Sequence, residues 1–145
     1  MVKVLGLDPG NTTGYAFCSY SPESGRDSLQ WTDIGEVRYS DMGTWLRQKL
    51  GLIDVVVCED FIIRPGVKKW AATTQTDNGA DTAKLVGKIQ LACEWMNKPV
   101  KMFLPHEKVL GYNCLGLEYV KGKRNMHRQD AMAHARLYIR KTYKV

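Results

Sequence analysis

Residues 2–8, VKVLGLD, are almost all apolar and do not alternate cleanly. That is the pattern of a strand buried on both faces, here ending in an acid, Asp8. Gly10 and Gly14 permit a tight turn, after which YAFCSY predicts a second strand. SPESGRDS is a loop by composition, and LQWTDIGEVRY predicts a third strand that completes an antiparallel meander. Helical spacing takes over in DMGTWLRQKL, with Asp41 or Ser40 as N-cap. IDVVVCEDF is a second continuous apolar run, and it too ends in acid, at Glu59. A Pro/Gly/Lys stretch over 64–70 interrupts the pattern. Within about 75–96, Ala83, Val86, Ile89, Gln90 and Cys93 recur at helical steps. VKMFL predicts a short strand and PHEKVLGY a helix started by proline. A last helix, from about 126 to 142, carries Ala131, Ala135 and Tyr138 on one face. The order β-β-β-α-β-α-β-α-α describes an α/β protein with a mixed rather than wholly parallel sheet.

With 145 residues, 44% of them hydrophobic and 25% charged, the chain fits one compact domain with a core of its own. It shows no internal repeat, low-complexity tract or second domain. No segment approaches the apolar length that crosses a bilayer, and MVKVLGLDPG is broken too soon for a signal peptide. A cytoplasmic location is therefore expected. Cys18, Cys58, Cys93 and Cys114 are widely spread, without C-x-x-C or zinc spacing, and read as reduced, buried thiols rather than nucleophiles.

The net charge of +6 matters less than its distribution. RPGVKKW (Arg64, Lys68, Lys69, Trp70) and KGKRNMHR (Lys121, Lys123, Arg124, Arg128) gather cations in two loop-like segments. Such clustering suits phosphate binding through counterion release. Taken alone, it suits two solvated loops equally well.

Three acids stand out by position. Asp8 ends the first strand, Glu59 ends the fourth, and Asp130 lies in the first turns of the last helix. A carboxylate at the end of a buried strand is costly unless paired or bound to a cation. Acids converging from separate elements suit Mg²⁺, which takes hard oxygen ligands, and two such ions suit phosphodiester cleavage. Singly, each acid reads as a cap or a surface charge.

Three segments in order resemble the motifs of RuvC-like Holliday junction resolvases. VLGLDPGNTTGYA resembles the first motif, VVVCEDF the second, and HRQDAMAHA the last, in which Asp or His precedes the final aspartate by three residues. VGKIQLACEWMNKPVKMFLPHEKVLG matches the intervening helix, strand and proline-led segment. The resemblance implies an α/β, RNase H-like fold whose mixed five-stranded sheet has its first three strands antiparallel and helices on its flanks. It implies a metal-binding, catalytic set of Asp8, Glu59, His127 and Asp130, with His127 a ligand or a cation touching phosphate. Mg²⁺ or Mn²⁺, two per site, is the implied cofactor. The implied activity is endonucleolytic resolution of branched DNA (four-way junctions, with forks and flaps as relatives) by a homodimer that meets through the helix around 80–96. The products are 5′-phosphate and 3′-hydroxyl ends.

The short chain is similar to phage-encoded members, and Asp60 makes the second motif doubly acidic. Trp70 is a candidate to stack on exposed bases or an ordinary core or interface aromatic. His134, where the family has an apolar residue, reads as a half-buried histidine. Arg136, Arg140 and Lys144 form a stripe that reads as a solvated face. His106, Asn11, Thr12 and Thr13 read as hydrogen-bonding support or, for the last three, as turn residues. GLDPGNTTG also resembles the first phosphate loop of actin-like and sugar-kinase ATPases, but the second phosphate loop and second domain of those proteins are missing, so no nucleotide cofactor is expected. A non-catalytic branched-DNA binding module and an RNase H-like nuclease on RNA–DNA hybrids stay as alternatives.

Overall fold

A computed structural model describes residues 1–61, 69–123 and 126–145, with 69–80 as backbone alone. β1 (Val2–Asp8), β2 (Thr12–Tyr20) and β3 (Gln30–Arg38) form the antiparallel meander. α1 (Met42–Lys49) leads to β4 (Val55–Glu59), which pairs parallel to β1. α2 (Lys69–Trp95) leads to β5 (Val100–Phe103), parallel to β4. α3 (Lys108–Leu115) and α4 (His127–Tyr143) follow. The sheet order is β3-β2-β1-β4-β5, the mixed five-stranded arrangement expected from the sequence.

The unbroken apolar character of β1 and β4 follows from helices on both faces. Leu5, Leu7, Val56 and Cys58 pack on one side with Met42 and Leu46 of α1 and Leu85, Ile89 and Cys93 of α2. Val4, Val55, Val57 and Phe103 pack on the other with Ala135, Leu137 and Ile139 of α4. Strand side chains alternate between faces, so Asp8 takes the face of Val4 and Glu59 that of Val55 and Val57. Both acids therefore turn toward α4. The β1–β4 register sets Leu7 beside Cys58, which brings the two strand ends level.

Several local expectations are corrected. α2 begins at Lys69 rather than near 75, because KWAATTQT holds no glycine or proline to delay it. Lys69 and Trp70 thus open a helix instead of belonging to a loop. Proline 105 begins a 3-10 turn, Pro105–Glu107, with α3 starting only at Lys108. There the Leu104 N–H donates to Glu107 Oε2 at 2.7 Å. Neither Ser40 nor Asp41 caps α1 through its side chain, since both already lie in a 3-10 turn, Tyr39–Asp41. No described helix is long and apolar enough to cross a membrane. Cys18, Cys58 and Cys93 are buried and all four cysteines are free.

Candidate metal centre

Asp8 ends β1 and Gly14 stands opposite it on β2. The stretch GLDPGNTTG is therefore a hairpin in which residues 9–13 connect the last β1–β2 pair, Thr12 and Thr13 already pairing with β3. A side chain at Gly14 would collide with the backbone carbonyl of His127, so the glycine lets the start of α4 lie directly on β2. A Cβ at Gly6 would likewise meet the carbonyl of Ala131. These two close approaches place the first turns of α4 against the strand that carries Asp8.

Asp8, Glu59 and Asp130 are the result. All three are buried, and each offers a carboxylate oxygen within 4.8 Å of the others. Burial raises the pKa of Asp8 well above the usual carboxylate range, and the neighbouring Glu59 and Asp130 add to this against a hydrogen bond with His127. Burial also pushes Glu59 up, but His134, the Asp8 carboxyl and the Lys108 ammonium outweigh it and hold Glu59 at about 2. The two adjacent acids are thus displaced in opposite directions, as expected of carboxyls too close to titrate independently. Hard oxygen donors from three converging carboxylates fit a divalent cation such as Mg²⁺ or Mn²⁺.

His127 opens α4 and its Nδ1 lies 2.9 Å from Asp8 Oδ2. That contact, working against partial burial, raises the imidazole's pKa. The i, i+3 spacing to Asp130 puts both residues on the face that meets the strand ends.

Two residues in this cluster escaped the sequence reading. Lys108 Nζ donates to Asp130 Oδ2 at 2.9 Å and to Glu59 Oε1 at 3.3 Å. Burial opposes its charge, yet the acids raise its pKa overall. The Tyr112 hydroxyl donates to Asp130 Oδ1 at 2.5 Å, and burial and that carboxylate raise its pKa. Lys108 and Tyr112 stand four apart on α3, a spacing visible in KVLGY that says they share a face but not what the face meets.

His134 is fully buried rather than half-buried, with Nε2 3.7 Å from Glu59 Oε1. Arg136 does not join a solvated stripe. It is buried, and its Nη2 donates to the Val145 carbonyl at 2.8 Å.

Of the basic residues expected at the site, Lys121, Lys123 and Arg128 are exposed. Lys123 and Arg128 line an open cavity of about 510 Å³ together with Thr12, Glu36, His127 and Gln129. Arg128 Nε lies 3.6 Å from Glu36 Oε1 at the solvent edge. Arg64, Lys68 and Arg124 lie outside the described residues, as do the side chains of Lys69 and Trp70. Asp60 leaves the β4 ladder but keeps a backbone bond, its N–H donating to the Phe103 carbonyl at 2.8 Å.

The sheet order, the flanking helices and the acids at the strand ends define an RNase H-like fold of the RuvC type. The fold is shared with Thermus thermophilus RuvC in complex with a Holliday junction substrate, at a TM-score of 0.67 and 16% identity over 99% of this chain and 98% of that one. Thermus thermophilus RuvC in a second structure gives a TM-score of 0.60 and 17% identity over 94% and 92%. The fowlpox virus Holliday junction resolvase gives 0.56 and 14% over 99% and 100%. No protein-family model and no curated protein matches the chain.

Proposed function

We propose that residues 1–145 are one RuvC-like nuclease domain, a metal-dependent endonuclease that resolves four-way junctions and related branched DNA by symmetric nicking as a homodimer. The observation that carries this reading is the convergence of Asp8, Glu59 and Asp130 from β1, β4 and α4, with their oxygens within 4.8 Å. It gains weight from the fold, which is that of two proteins named as acting on Holliday junctions.

In this reading Asp8, Glu59, Asp130 and His127 hold two Mg²⁺ or Mn²⁺ ions. What the metal supplies when bound is activation of water and stabilisation of the leaving oxygen, giving 5′-phosphate and 3′-hydroxyl ends. His127 steadies Asp8 through its 2.9 Å contact. Lys121, Lys123 and Arg128, with Arg64, Lys68, Lys69 and Arg124, receive the DNA backbone, and Trp70 stacks on exposed bases. Recognition runs through branch shape and charge more than base edges. A junction needs two matched cuts, and two-fold pairing of chains supplies the second site. α2 is the proposed contact, presenting exposed Leu91 and Trp95 one turn apart with Met96 beyond.

The test is incubation with an end-labelled mobile four-way junction, a fork, a linear duplex and an RNA–DNA hybrid, with and without Mg²⁺. Paired symmetric nicks in the junction, dependent on metal, are expected. Cleavage confined to the hybrid would replace this reading with an RNase H-like one. Junction binding without cleavage under any metal would leave a binding module.

A further inference from the structure

His134 stands one helical turn beyond Asp130 on α4 and has no exposed surface. Its ring lies nearly parallel to that of Phe103, at 13° and 6.1 Å between centroids. Phe103 is in turn the register partner of Glu59 across β4 and β5. The imidazole is therefore clamped flat beside the strand pair that presents the acid. Neither ring nitrogen has a hydrogen-bond partner among the described residues. A neutral imidazole always carries one N–H, and burying a donor unpaired is unfavourable. Nε2 faces Glu59 Oε1 at 3.7 Å, just beyond hydrogen-bond length. The same oxygen accepts from Lys108 at 3.3 Å.

We propose that His134 is a positioning residue for Glu59, its Nε2–H closing onto Oε1 to fix the carboxylate's orientation toward a divalent ion. This rests on the metal-centre reading above. A carboxylate that rotates freely about its last bond is a poor ligand, and a rigid donor on one oxygen confines it. Lys108, on a long flexible stem, cannot give that rigidity. The stacked ring can.

The test is Mn²⁺ binding by titration calorimetry, without DNA, to the wild-type chain, His134→Leu and His134→Gln. Leu removes the donor while keeping an apolar filling, and Gln returns an N–H near the place of Nε2. His134→Leu should bind Mn²⁺ about 10–100-fold more weakly, with His134→Gln recovering most of the loss. Wild-type affinity in His134→Leu, or no recovery in His134→Gln, would overturn the proposal. Should His134→Leu fail to fold, His134→Asn replaces it, since its amide is too short to reach Oε1; equal affinity of Asn and Gln variants then counts against the role. Cleavage plays no part in this readout. A wild-type chain that binds Mn²⁺ but cuts no junction removes the nuclease reading alone, whereas one that binds no Mn²⁺ removes the metal centre and this inference with it.

Discussion

Lys108 holds its ammonium between two buried carboxylates, and its partners are worth more than its own solvation. Replacing it by methionine takes the ammonium from both Glu59 and Asp130, a loss on the order of 3 kcal/mol for a broken buried pair. In the proposed metal centre, Mg²⁺ would supply positive charge to the same carboxylates. Lys108→Met should therefore lose clearly more stability in chelator than in Mg²⁺, as read by urea unfolding in the two buffers; an equal loss would separate Lys108 from the metal charge. Asp8→Asn tests the opposite sign. It removes one negative charge from a crowded pocket, so cleavage should vanish while metal-free junction binding, measured by gel shift, is retained; full activity would remove Asp8 from the metal set. At this scale the acids were legible because strand ends and motif spacing mark them. Lys108, Tyr112 and the contact of His134 were not, because each depends on which faces of α3, α4 and β4 meet.

The placement of α4 depends on two glycines. Gly14→Ala would drive a Cβ into the His127 carbonyl, and backbone on a packed helix yields little. A cost of about 1–3 kcal/mol is expected, as for overpacking generally. Shifting the helix start also lengthens the His127–Asp8 contact. Cleavage should then fall by more than a stability-matched variant far from the site, Gly43→Ala with a second surface change serving as comparison because a Cβ at Gly43 meets open space. A loss no greater than the comparison's would reduce Gly14 to a packing role. The elements themselves were legible from period and turn residues, in the right order and type. Orientation was not. The stripe of Arg136, Arg140 and Lys144 looked outward by spacing, yet α4 is covered by the sheet on one side and by α3 on another, where Gly111 meets the Ala133 backbone. A helix packed on two sides buries a cation that periodicity alone assigns to water.

For the whole molecule, the buried thiols set an upper pH limit. Burial pushes Cys18 to about 12 and Cys93 to about 11 from an ordinary 9.0. A raised folded pKa means that the unfolded chain ionises first. The thiols' contribution to stability is thus unchanged below pH 9 and declines as pH rises toward the folded values, by about 1.4 kcal/mol per pH unit for each thiol. Urea midpoints at pH 8, 9 and 10 should fall accordingly, and Cys18→Ala with Cys93→Ala should flatten the decline; an unchanged slope would place the alkaline limit elsewhere. The fold as a whole was legible because the mixed topology follows from the strand and helix order.

The three carboxylates also impose an order in time. They lie near the start, the middle and the far end of the sequence, on β1, β4 and α4. Synthesis releases the chain from its N-terminus, and long-range contacts close late. A nascent chain that has already paired β1 with β4 still lacks Asp130 and the backbone of α4 that seats it. The three-acid cluster is therefore complete only once the last helix has emerged, so an interrupted translation product lacks one of the carboxylates that the proposed nuclease needs.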